Sequence, residues 1–126
     1  MKARESALRL KRFEADEKAR KVADLEHMIR EFENMAADLD RQIRAEEDRT
    51  GVKDPAHFSY STFAKSASQR RDNLRTSVEG LRQKLEAAQR ERDEALEQVT
   101  RADTPITRTE LRSRRRAERA STAALR

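Results

Sequence analysis

Two stripes of mostly apolar positions, one within residues 8–43 and one within residues 67–102, mirror each other across Pro55. Read back from Pro55, the first is Ile43, Leu39, Ala36, Phe32, Ile29, Leu25, Val22, Lys18, Ala15, Lys11 and Leu8. Read forward, the second is Ala67, Arg71, Leu74, Val78, Leu81, Leu85, Ala88, Arg92, Ala95, Val99 and Ala102. Steps of three and four alternate in both, the 3.5-residue repeat that keeps a stripe on one helix face. The numbers of facing members always add to 110, so a reversal at Pro55 lays one stripe on the other. The pattern predicts an all-α, antiparallel two-helix coiled-coil hairpin over residues 1–103, followed by a basic C-terminal tail. Its helices are expected over about 4–48 and 61–102, with a connection over about 49–60. Residues 104–126 are expected as a short helix or as disordered chain. A hairpin of this kind suits a lever, stalk or adaptor better than a catalyst.

Composition supports a seam and argues against a globular core. Ala, Glu, Lys, Leu and Arg make up 73 of 126 residues, more than the roughly half that marks a coiled coil or long helix. Hydrophobic residues reach 35% and Trp is absent. With no cysteine, disulfides and thiolate metal sites are ruled out, which is compatible with a cytosolic location. No apolar run approaches the roughly 20 residues of a membrane span, and the N-terminus lacks a signal peptide's apolar stretch. The net charge of +5 is unevenly placed. Residues 101–126 hold eight basic and three acidic residues, whereas residues 1–100 hold 21 of each. The body is electrically balanced and the basicity belongs to the tail.

Local signals set the boundaries. Helix 1 contains no Gly or Pro and carries Glu14–Lys18, Glu17–Lys21 and Glu26–Arg30 at the favourable i, i+4 spacing. At 1.5 Å per residue it would be roughly 65 Å long. Gly51 stands where a C-terminal cap belongs, and Pro55 blocks continuation. The connection RTGVKDPAHFSY is aromatic for a turn, since Phe58 and Tyr60, with Phe63 nearby, are three of only five aromatics. Ser59 or Ser61 can cap helix 2. Gly80 lies within that helix at a cost of about 1 kcal/mol relative to Ala. Thr104 as cap with Pro105 at the first helical position can restart a helix.

The seam changes character along its length. Ala36/Leu74, Phe32/Val78, Ile29/Leu81 and Leu25/Leu85 are apolar on both sides, whereas Lys18/Arg92 opposes two cations and Ala15/Ala95 and Lys11/Val99 bury little. A firm loop end and a fraying terminal end are expected. Two apolar residues leave the seam there, Leu10 at heptad position c and Phe13 at f. Either the phase slips and both pack inside, or they dock on another protein, or they are simply exposed. The loop aromatics likewise either cap the seam or contact a partner. His27 and His57 lie far apart, and no Gly-rich phosphate loop, Cys nucleophile or ligand cluster occurs. No catalytic, cofactor-binding or metal site and no small-molecule substrate is expected. Arg114, Arg115 and Arg116 suit phosphates of nucleic acid or lipid, an acidic protein surface, or plain solvation. No nucleic-acid recognition module precedes them, and the tail has no aromatic to stack on a base.

Three segments resemble a known family: ALRLKRFEADEKARKV (7–22), EHMIREFENMAADLDRQI (26–43) and EEDRTGVKDPAHFSYSTFAKSASQRRDNLRTS (46–77). They are similar to the bacterial flagellar export protein FliJ family, over roughly residues 1–100, most specifically through the loop and the start of helix 2. The resemblance implies an antiparallel two-helix coiled coil similar to the stalk of the rotary ATPase gamma subunit. It implies a cytoplasmic part of the flagellar type III export apparatus, peripheral to the inner face of the cell membrane at the flagellar base. Such a protein inserts into the hexameric export ATPase ring, promotes its assembly and activity, contacts the export gate protein FlhA and escorts export chaperones. It is not itself an ATPase. On this basis Leu10 and Phe13 are candidates for the ATPase ring, with the terminal end inserted. Phe58, Tyr60, Phe63, Gln69, Arg70 and Asn73 are candidates for the gate. Val22, Leu25, Ile29, Phe32, Leu39, Ile43, Leu74, Val78, Leu81 and Leu85 form the seam of a hairpin that is monomeric when free. The alternatives are a structural coiled-coil oligomerisation module and a nucleic-acid-binding hairpin with a basic tail.

Overall fold

The computed structural model describes residues 2–103 and 108–124. The proposed cap at Thr104 and Pro105 lies outside them, as does the side chain of Arg114. All regular structure among the described residues is helical: α1 (Lys2–Thr50), α2 (Thr62–Asp103) and α3 (Arg108–Ala124). The two long helices end within two residues of the expected bounds. By contact the chain divides into two compact units, residues 17–92 and residues 1–16 with 93–126. This division falls inside both long helices rather than at their ends.

Within residues 17–92, α1 and α2 pack antiparallel. Cross-helix pairs descend in α2 as they ascend in α1: Lys18–Glu91 at 3.0 Å, Glu33–Arg82 at 2.9 Å and Asp40–Arg71 at 2.8 Å. Every seam position in this unit is buried or half-buried, and α1 buries no residue there that is not a seam position. One apolar cluster joins Val22, Leu25, Ile29, Val78, Leu81 and Ala88, with Phe32 and Leu85 against it. Another joins Leu39, Ile43, Ala64 and Ala67, with Tyr60 and Leu74 against it. Burying one such large aliphatic side chain stabilises by roughly 1.5–3 kcal/mol before entropy is subtracted. The mirrored numbering also runs further than the two stripes, to Glu46 with Ala64 and Thr50 with Tyr60, all of them buried or half-buried.

The turn is built from local hydrogen bonds. Gly51 has φ +73°, and its N–H donates to the Glu47 carbonyl at 2.9 Å, the single-bond left-handed cap that glycine adopts without strain. Asp54 Oδ1 accepts from Ala56 N–H at 2.9 Å, and His57 Nδ1 accepts from Ser59 N–H at 3.0 Å. Ser61, rather than Ser59, caps α2, its Oγ accepting from Ala64 N–H at 3.2 Å. The same hydroxyl donates to Glu46 Oε1 at 2.9 Å, joining the cap of one helix to the last turns of the other.

One expectation for this unit changes. Lys18 and Arg92 are both half-buried, but Lys18 Nζ turns to Glu91 Oε2 at 3.0 Å. The layer is therefore not a bare pair of opposed cations.

In the unit of residues 1–16 and 93–126, Ala15 is buried, while Leu8, Lys11, Ala95, Val99 and Ala102 are half-buried. Arg12 pairs with Asp103 at 3.5 Å, with both side chains more than half exposed, so the pair contributes little. Leu10 and Phe13 are 58% and 59% exposed. The heptad phase does not slip to take them in. Every α3 residue whose side chain is described is exposed.

Candidate functional site

The gate candidates separate into residues that build the fold and residues that are free to touch a partner. Tyr60 is half-buried against the Leu39, Ile43, Ala64 and Ala67 cluster, so it closes the seam. Phe58 is 95% exposed, its ring stacked on the neighbouring His57 at 4.7 Å with 23° between planes. Phe63 is 55% exposed in the first turn of α2. Of the three aromatics expected either to cap the seam or to meet a partner, one caps and two are exposed.

Further along α2, Arg70 and Asn73 line a shallow groove with Phe32, Met35, Leu74 and Ser77. Gln69 is exposed and does not line it. Phe63, Arg70 and Ser77 are spaced by seven and so share a helix face, as do Met28 and Met35 on α1. Met28 and Met35 are 40% and 46% exposed and were not singled out from the sequence. The signal was present, since each immediately precedes a seam residue, Ile29 and Ala36. Unbranched thioether side chains in such places adapt to irregular partner surfaces.

The opposite flank of the seam is polar. Glu33, Ala36, Ala37, Asp40, Arg75, Thr76, Val78, Glu79 and Arg82 line a second groove. Glu33 bonds Arg82 at 2.9 Å, and the two oxygens of Asp40 accept from Arg71 and Arg75, each at 2.8 Å. Asp40 and Arg71 are 24% and 23% exposed at the side chain, so this pair is largely withdrawn from water. The Arg71 hydrogen bond holds the Asp40 carboxyl below its ordinary value against the opposing effect of burial, with Arg75 and Arg44 adding attraction. The Asp40 bond raises Arg71 in turn. Glu46 is lowered by hydrogen bonds from Arg49 and then Ser61. One flank thus satisfies itself with ion pairs, while the other carries thioether, aromatic, guanidinium and amide groups suited to a protein surface.

The two histidines serve local structure. His27 Nε2 lies 3.1 Å from Glu31 Oε1 on the same helix, and His57 shapes the turn. Among the described residues no three of His, Cys, Asp and Glu gather as a metal site. Within the same residues no helix is long and apolar enough to cross a membrane. No family model, curated protein or solved structure matches the chain.

Proposed function

We propose that this protein is a non-enzymatic component of the flagellar type III export apparatus, an antiparallel coiled-coil stalk that binds the export ATPase ring and the export gate and escorts export chaperones. The observation that carries this reading is the exposed flank of Met28, Met35, Phe63, Arg70 and Asn73. It lies on the segments that resemble the FliJ family, beside a seam whose positions are buried or half-buried throughout. In this reading Phe58, Phe63, Arg70 and Asn73 contact the gate, and Tyr60 supports them from the seam. Leu10 and Phe13, exposed large apolar residues of the other unit, grip the ATPase ring. The protein works in the cytoplasm, peripheral to the membrane at the flagellar base.

Co-purification with the flagellar ATPase and the export gate tests the reading directly. Phe13→Ala is expected to lower ATPase stimulation and spare gate binding, and Phe58→Ala with Phe63→Ala to do the reverse. Tyr60 is a poor probe because its loss also opens the seam. Retention of both activities in both variants would remove these sites, and failure to co-purify with either partner would sink the assignment.

A second reading has one observation in its favour. The Met28, Met35 and Phe63 flank suits a second copy of the chain, which would make the protein an oligomerisation module. Light scattering separates the two, a monomer supporting the stalk and a stable oligomer the module.

A further inference from the structure

We propose that the thioether-bearing flank between α1 and α2 seats an acidic amphipathic helix of a partner protein, with its carboxylates along the edge that meets α2. The two flanks of the seam differ in how charges meet across it. On the polar flank Glu33 meets Arg82 and Asp40 meets Arg75, bonded at 2.9 and 2.8 Å. On the other flank the antiparallel register sets Lys21 opposite Lys84, Met28 opposite Ser77 and Met35 opposite Arg70, and all six are exposed. Positions beside the seam govern partner choice in coiled coils. Here they set cation against cation, and these facing stripes hold no carboxylate to answer them. Arg70 and Lys84 make no hydrogen bond or ion pair among the described residues.

The two walls of this flank select the occupant. The neighbouring stripe of α2, Asn73, Gly80 and Ala87, is uncharged, so nothing there offsets Arg70 and Lys84. The neighbouring stripe of α1 is acidic, but Glu17, Glu31 and Asp38 are engaged by Arg20, His27 and Arg41 of their own helix. Asp24, the remaining member of that stripe, would repel a carboxylate edge turned toward α1. The unanswered charge is therefore positive and lies on α2. Between the walls, Phe32, Met35 and Leu74 line a groove that suits the aliphatic ridge of a helix. Arg70 and Lys84 stand two heptads apart, about 21 Å along α2, so matching carboxylates recur at heptad spacing. A second copy set face to face would bring Lys21, Arg70 and Lys84 into the same groove again without a carboxylate on the facing stripes. The inference rests on the partner-binding reading of this flank and adds the chemistry of what binds.

The test is fluorescence anisotropy of the full chain with a labelled 21-residue helical peptide, Leu along its ridge and Glu at heptad spacing along one edge. The same peptide with Gln in place of Glu is the comparison. The Glu peptide is expected to bind on the order of five-fold tighter, with the advantage shrinking as salt is added. Arg70→Gln/Lys84→Gln is expected to abolish that advantage while leaving the Gln peptide unaffected, and Met35→Glu to weaken both peptides. These side chains are exposed, so circular dichroism is expected to match the parent. Equal binding of the two peptides, or an advantage that survives Arg70→Gln/Lys84→Gln, would overturn the proposal. So would a stable dimer of the chain alone that Met35→Glu dissociates, since a second copy would then be the occupant. Export-gate capture is measured in parallel to separate the two readings. Capture undiminished by Arg70→Gln/Lys84→Gln would overturn the acidic occupant and leave the export reading standing. Cation-dependent peptide binding without gate capture would support this surface and sink only the export assignment.

Discussion

A methyl group added at Gly80 meets nothing within 4 Å, on an exposed helix interior where glycine costs stability. Gly80→Ala is expected to stabilise the protein by about 0.5–1 kcal/mol. Gly51→Ala has the same free space but sits at φ +73°, and is expected to cost about 1–2 kcal/mol. Ser61→Ala removes the α2 cap and is expected to cost about 1 kcal/mol. Urea denaturation measures all three, and a stabilising Gly51→Ala would refute the left-handed cap. The carboxyls of Asp40, Glu46 and Glu91 are all held below their ordinary values, the last by its bond from Lys18. A carboxyl lowered in the folded chain contributes stability that is complete above its unfolded value. That contribution drains as pH falls through the folded one. Stability is therefore expected to hold down to about pH 4 and decline below it, as an acid titration by circular dichroism would show. The Gly51 cap was legible, and the α2 cap was narrowed to Ser59 or Ser61, because caps are local chemistry. The bond from Ser61 to Glu46 was not, because it spans a turn whose path the sequence left open.

Helix by helix, the 3.5-residue repeat identified the buried face, and the mirrored numbers identified the register. Periodicity reports only which face is apolar, so the division of labour between the two flanks stayed hidden. Arg71 breaks the apolar stripe, and its partners Asp40 and Arg75 emerge only once the helices are packed. A polar pair at a seam fixes alignment, while removing one partner strands the other away from water. Asp40→Ala is expected to cost about 1.5–3 kcal/mol. Replacing both Asp40 and Arg71 by Leu is expected to recover most of this but to permit shifted alignments, detectable as mixed species by crosslinking. Full loss of stability in the double variant would contradict the account. Both apolar clusters lie within residues 22–88. Amide exchange is thus expected to be slowest there and fastest over residues 2–14. Uniform protection along α1 would refute that gradient.

For the whole molecule, charge and surface area matter more than any one contact. Residues 1–100 carry no net charge, so the whole excess of +5 lies in residues 101–126. No large side chain among the described residues is fully buried. Unfolding therefore newly hydrates little apolar area, and its heat-capacity change is expected to fall below the usual 12–15 cal/mol/K per residue, roughly. Calorimetry would then trace a shallow stability curve and a broad melting transition. A chain without a thick interior gives up little when cooled, so its folded fraction is expected to stay nearly constant from the cold up to the onset of melting.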